Sequence, residues 1–268
     1  MSETLPAVPS ANYVPEGLED FDTDDMVMPK LTIAHQDGQF TDSLSGEKFD
    51  SLEVVLLGLI KQRILWPPDM GVEAEAPLCK SYNFTEGRPD PANPTRFPWK
   101  ASGFAMTDYV DGENAPVVTC ESCKLKDWGS HPKSETPWCS EQHTFALLLP
   151  TGGGWSPAIL TLQRTGIKPS KAYLTSFARS QSPLFVCTTK LGLSVQKRGT
   201  VTFSVPTFTR GTPTDADDHP EFASTYRRIR EFITTPRQAE AEAEGTPVAA
   251  PSTPAASAAA ASDDEMPF

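Results

Sequence analysis

The chain has 268 residues, a formal net charge of −12, 26 prolines, five cysteines and four histidines, enough for one large domain or two small ones. No run of about 18 apolar residues is present, which excludes a membrane-spanning helix. The first residues lack the basic and apolar regions of a secretory leader, so a cytoplasmic location is expected, where cysteines stay reduced and point to metal rather than disulfides.

Residues 1–28 carry seven acidic side chains and no Lys or Arg, and read as a disordered arm. Next, Lys30–Ala34 predicts a short strand, and Ser51 to Trp66 a long one with Gly58 as a bend or bulge. In its second half Lys61 and Arg63 share one face, with Ile60, Ile64 and Trp66 on the other. Residues 67–142 are irregular, rich in Pro and Gly, and hold four of the five cysteines. Strands are expected again at His143–Leu149 and Pro157–Gln163. Ser170 is placed to cap a helix over Lys171–Arg179. Strands follow at Leu184–Gln196 and Thr200–Thr209, then an amphipathic helix over His219–Ile233 with Phe222, Tyr226, Ile229 and Phe232 or Ile233 inward. Residues 236–268 alternate Glu with Ala before Pro, Ala, Ser and Thr take over, and read as a tether.

The folded part is therefore 29–235. Three strands, a helix and two closing strands predict a mainly β fold: a five-stranded OB-type barrel, with the insertion between its first two strands and a C-terminal helix. A generic β-sandwich fits the strand count almost as well.

Within the insertion, Cys120 and Cys123 form a C-x-x-C pair, Cys139 follows after fifteen residues, and Cys79 lies upstream. A C-x-x-C turn brings two thiolates to one zinc ion at about 2.3 Å. Cys79, Cys120, Cys123 and Cys139 are the expected ligands of a closed structural zinc site, with His143 and His131 as competing fourth ligands. Catalytic zinc would need an open position and a general base in a recognisable motif, and no H-E-x-x-H is present. Cys187, in an apolar strand, is expected in the core.

Both ends are acidic: residues 238–268 add six carboxylates and no Lys or Arg, which leaves 22 acidic against 23 basic residues between the tails. From Gln142 to Thr214 there is no Asp or Glu at all. Cations interleaved with aromatics suit a phosphate backbone with exposed bases. Lys61, Arg63, Arg164, Lys168, Lys171, Arg179, Lys197 and Arg198 are the candidate phosphate contacts. Trp66, Trp155, Tyr173 and Phe177 are the candidate stacking platforms, although alternation along strands buries many aromatics.

The chain ends Asp263-Asp264-Glu265-Met266-Pro267-Phe268. This resembles the acidic tip of bacterial single-stranded DNA-binding proteins, with Met266 in place of the usual aliphatic residue. In that family the tip docks on replication, recombination and repair proteins, which implies such partners here. Ile60–Trp66, Pro77–Ser81, Cys120–Cys123 with Trp128-Gly129, and Cys139–Gln142 resemble tailed-phage proteins of the single-stranded DNA-binding kind. That resemblance implies an OB fold, a non-enzymatic role on single strands in the host cytoplasm, and work in phage or host genome replication. The bacterial family lacks the zinc insertion, so its DNA contacts do not transfer by position. A zinc-dependent nuclease or hydrolase, and a zinc-stabilised interaction hub without DNA binding, are the rival expectations.

Overall fold

The computed structural model describes residues 27–34, 38–68, 76–91, 93–106, 116–151, 154–199 and 201–234. The expected tail 236–268, and the expected arm 1–28 except its last two residues, lie outside the described residues.

The fold is built on one strand. β4, Ser51–Leu65, is a run of β-branched and aliphatic residues that favours extended backbone. From Val55 to Leu65 it pairs antiparallel with β8, Cys139–Thr151. On its opposite edge Ser51 to Val54 pair with β10, Cys187–Arg198. Further along that edge, Arg63 to Leu65 pair with β5, Cys79–Ser81. β8 carries β9, Gly154–Gln163, and β10 carries β11, Val201–Pro213, both antiparallel. Helix α2, Ile167–Ser180, links β9 to β10. The long strands and the helix thus follow the expected order.

The barrel, however, does not close. Closure would bring the free edges of β9 and β11 together, but the β9 edge is taken in parallel by β1, Lys30–Ala34, at Ile159 and Leu160. β1 in turn pairs with β2, Gln39–Asp42, and β2 with β3, Lys48–Phe49. The result is an open sheet, extended at its other end by β5, β6 (Glu86–Pro89) and β7 (Val118–Thr119). A mainly β fold with a C-terminal helix is what forms; the closed five-stranded barrel is not.

Local expectations shift in four places. β8 begins at Cys139, so the insertion ends sooner than 142 and shares its last cysteine with the main sheet. α2 begins at Ile167, because Pro169 is tolerated in a first turn. Ser170 is thus not a cap: it lies inside the helix, where its hydroxyl donates to the Ile167 carbonyl at 2.8 Å. Leu184–Val186 is a 3-10 turn rather than the start of a strand.

The two faces of the sheet hold separate cores. Leu52, Val54, Leu56, Phe145, Leu147 and Leu160 pack with Tyr173 and Phe177 of α2 on one side. Val55, Leu57, Ile60, Ala146 and Leu148 pack on the other side under Phe222, Ile229 and Ile233 of α3, His219–Thr234. Ile233 rather than Phe232 completes the inner stripe. The switch from even to odd residues comes from a register shift between Leu56 and Gly58, a bulge that turns the strand over by one residue.

Gly58 also lets α3 approach. A Cβ there would stand 2.3 Å from the Tyr226 ring, whose hydroxyl donates to the Leu59 carbonyl at 3.0 Å. Gly58→Ala is expected to cost about 1–3 kcal/mol by overpacking. A lowered urea midpoint, partly restored in Gly58→Ala with Tyr226→Ala, is the expected reading.

Candidate nucleic-acid interface and cysteine cavity

On β4 beyond the bulge, Lys61 and Arg63 face the α2 side. In register across the ladder, Lys61 stands opposite His143 and Arg63 opposite Glu141. The Lys171 ammonium of α2 lies 3.2 Å from Glu141 Oε1. Lys168 precedes Lys171 by three residues on α2, and Thr175 and Arg179 follow at helical spacing, so one exposed ridge carries Lys168, Lys171 and Arg179. Exposed Arg164, in the 3-10 turn ahead of α2, acts electrostatically on His131 of the insertion. Six of the eight expected phosphate contacts therefore share this side.

Lys197 and Arg198 do not. β10 leaves β4 at the Gly192–Ser51 pair, so Lys197 lies past one end of β4 while Lys61 sits ten residues toward the other, about 30 Å of strand away. The stretch without carboxylates is also less pure in space than in sequence. Glu141 enters the cationic cluster from just outside it, and Glu53 reaches Thr188 of β10.

The expected platforms fare worse. Tyr173 and Phe177 are core residues, and the Tyr173 hydroxyl is bonded to Thr189 at 2.7 Å, which removes both as stacking surfaces. Trp155 is half-buried in the α3 core, on the wrong side of the sheet. Half-buried Trp66 accepts the Trp138 indole N–H on its carbonyl at 2.8 Å, an anchor for the insertion.

Two other aromatics are left at least partly open to solvent. Phe84, in the β5–β6 loop, has φ 68°, unusual for a bulky residue. The Arg63 guanidinium lies 4.2 Å from its ring centroid and the Lys61 ammonium 5.6 Å. The Asn83 side chain accepts from the Thr85 and Glu86 N–H groups and fixes this loop. Phe84 is half-buried, and the Asn ahead of it was the available sequence signal for the turn. Trp128 is 80% exposed. Its turn is not loose: Asp127 N–H donates to Lys124, Ser130 N–H to Asp127 and Gly129 N–H to Glu135.

The four expected zinc ligands converge. Cys79, Cys120, Cys123 and Cys139 line one cavity with Leu65, Phe97, Val118, Leu125, Arg63 and Lys126. A Cβ on Gly87 would lie 3.0 Å from Cys79 Sγ and 3.4 Å from Cys120 Sγ, so that strand must present glycine to the sulfurs. Burial pushes the Cys139 thiol up to about 12, against the pull of the Arg63 charge. Burial and the other three sulfurs push Cys79 up as well. All four are free thiols, and among the described residues no group of three or more His, Cys, Asp or Glu side chains is arranged to hold a metal ion as it stands.

The donor set fits that ion. Four thiolates around Zn²⁺ leave a net charge of about −2, and two cations, Arg63 and Lys126, line the same cavity. Ser81, on the same face of β5 as Cys79, has a buried hydroxyl without a partner, the type of donor that thiolate sulfur accepts. Neither His131 nor His143 lines the cavity. His131 packs its ring on Trp138, and Cys187 is buried in the α2 core, as expected.

His143 belongs to a different chain of contacts. Its Nε2 lies 2.9 Å from Glu141 Oε1 and its Nδ1 3.1 Å from Ser170 Oγ. A Ser-His-Glu sequence of this kind is the outline of a nucleophilic site, but Ser170 and His143 are both 0% exposed, so no substrate reaches the hydroxyl. No family model, curated protein or solved structure matches this chain.

Burial lowers the His143 pKa, opposed by Glu141. Burial would raise the Glu141 carboxyl, but hydrogen bonds from His143 and Lys171 hold it below its ordinary range. Below the ordinary histidine value of about 6.5 the unfolded chain takes the proton first. Stability therefore rises with pH up to that value and levels off above it. The urea midpoint is expected to fall between pH 7.5 and 5.5, and to fall less in His143→Gln. An unchanged slope in the variant would assign the effect to His131, whose pKa is also lowered by burial and Arg164.

Proposed function

We propose that the protein binds single-stranded DNA without strong sequence preference, on the face formed by Lys61, Arg63, Arg164 and the α2 ridge. One observation carries this reading: cations distant in sequence meet on one side of the sheet, beside an aromatic held at its edge. Phosphates take the cations, and Phe84 and Trp128 are the surfaces on which unpaired bases stack. The five long strands and α2 are read as an OB-type arrangement left open at the β9–β11 seam, with zinc on Cys79, Cys120, Cys123 and Cys139 as a structural staple for the insertion. Asp263–Phe268 lie outside the described residues. Their role in recruiting replication, recombination and repair proteins rests on their sequence: a Phe for an apolar pocket, and carboxylates for a basic rim. A phage-encoded, non-catalytic protein of the host cytoplasm is the biological form of this proposal.

A salt titration with labelled oligo-dT tests it. Affinity is expected to fall linearly on a log–log plot, with a slope of about −0.7 per phosphate neutralised. Replacing Lys61, Lys168 and Arg179 together by Ala flattens that slope by about 2, on the same count. Phe84→Ala loses about 1–3 kcal/mol of binding, while Lys197→Ala changes neither quantity. Absence of any salt-dependent complex sinks the proposal in favour of a protein-only hub. Cleavage of the labelled strand sinks it in favour of a nuclease.

For the metal, one Zn²⁺ per chain is expected by elemental analysis, and substantially less in Cys123→Ser or Cys139→Ser. Chelation is expected to lower thermal stability in the wild type. Full stability with no bound metal would remove zinc from the account.

A further inference from the structure

The cysteine cavity and the cationic face have one side chain in common. Arg63 lines the cavity together with Cys139, while its guanidinium lies over the Phe84 ring at 4.2 Å from the centroid. On β4 it sits between Glu141 of β8 and Ser81 of β5 in register. We propose that Arg63 couples the two sites, so that metal on the four cysteines strengthens single-strand binding and a bound strand strengthens metal binding. This rests on the strand-binding and zinc readings above and says how one regulates the other.

The ground is the charge that Arg63 faces. Next to neutral thiols the guanidinium has only weak acceptors in the cavity, and the Glu141 carboxylate opposite it on the neighbouring strand is already engaged by His143 and Lys171. A metal–thiolate cluster of net charge about −2 gives the guanidinium a charge-assisted hydrogen bond to sulfur within the same cavity. The planar fork is then pinned at one end by sulfur and lies flat over Phe84 at the other. Phe84 and Lys61, 5.6 Å apart, are positioned by the same pin. Arg63 is thus a positioning residue as well as a phosphate contact, and lysine, lacking the fork, does not replace it.

Coupling of this kind is reciprocal: the factor by which metal changes strand affinity equals the factor by which strand changes metal affinity. The full-length protein is loaded with Co²⁺, and oligo-dT binding is followed by anisotropy with and without metal. Metal affinity is followed by competition against a chelator with and without oligo-dT, which needs no preparation of metal-free protein. In the wild type both factors are expected to agree at about 10-fold, within the usual range of coupling, and oligo-dT shifts the cobalt–thiolate absorption. In Arg63→Gln and Arg63→Lys each ligand still binds, the two factors drop below about 2-fold on the same scale, and the spectral shift is lost. Undiminished coupling in the variants overturns the proposal, as does independence of the two ligands in the wild type. Loaded protein that ignores oligo-dT overturns the strand reading itself, and protein that takes up no cobalt overturns the metal half; the four outcomes are distinguishable.

Discussion

A single extra residue in β4 decides which side chains this protein shows to its surroundings. Before the bulge, even-numbered residues Leu52, Val54 and Leu56 face α2; after it, odd-numbered Leu59, Lys61 and Arg63 do. Because a strand alternates faces with period two, removing the bulge would send Lys61 and Arg63 under α3 and turn Ile60 and Ile64 toward the cationic side. Charged groups would then meet the apolar stripe of Phe222, Ile229 and Ile233, at the cost of burying unpaired cations. Gly58 closes the bulge and gives Tyr226 its place against the strand. The bulge therefore links the packing of α3 to the chemistry of the opposite face.

The same strand explains why the insertion does not float free. Arg63 to Leu65 form the β5 ladder, and Leu65 stands directly opposite both Cys79 and Cys139. Two of the four cysteines are thus fixed by the main sheet, and Cys120 and Cys123 arrive from the turn after β7. The insertion brings its own small core of Leu78, Phe97, Val118 and Leu125 around them. So few apolar residues stabilise a loop-rich segment weakly, and buried thiols add little by themselves. On the proposed reading, a metal ion on the four cysteines would supply the missing free energy, and the cations lining the cavity would offset the charge that results.

How much of this was legible follows from what kind of signal each part leaves. The strand at Ser51, its bulge at Gly58 and the stripe of α3 are local patterns with a fixed period, and they formed within a residue or so of their expected places. The convergence of the cysteines was legible from spacing because thiols clustered by a C-x-x-C turn have few alternative uses. The aromatics were not. Tyr173 and Phe177 sit on a helix whose exposed ridge is basic, and nothing in their spacing separates a stacking face from a core face until β11 supplies Phe208 to pack on Tyr173 at 5.4 Å. Phe84 was hidden for the opposite reason. Its placement comes from an Asx turn and from two cations twenty residues away, neither of which has a period.

The failure of the barrel to close has a cause of the same non-local kind. The edge of β9 away from β8 is occupied by β1: the Pro29 carbonyl accepts the Ile159 N–H, and Lys30 and Leu31 continue the ladder. Between β9 and β11 the core is then sealed by rings instead of backbone: Phe208 of β11 meets Phe145 and Tyr173, and Arg210 lies 4.1 Å over Phe177. A seam made of side chains and a helix has no fixed ladder register, so α2 is positioned by side-chain contacts, both apolar and polar. Its polar fastening to β8 is through Ser170 to His143 and Lys171 to Glu141. Those contacts hold the cationic ridge against the strand that carries Lys61 and Arg63, which is why the buried histidine belongs to the architecture of this face.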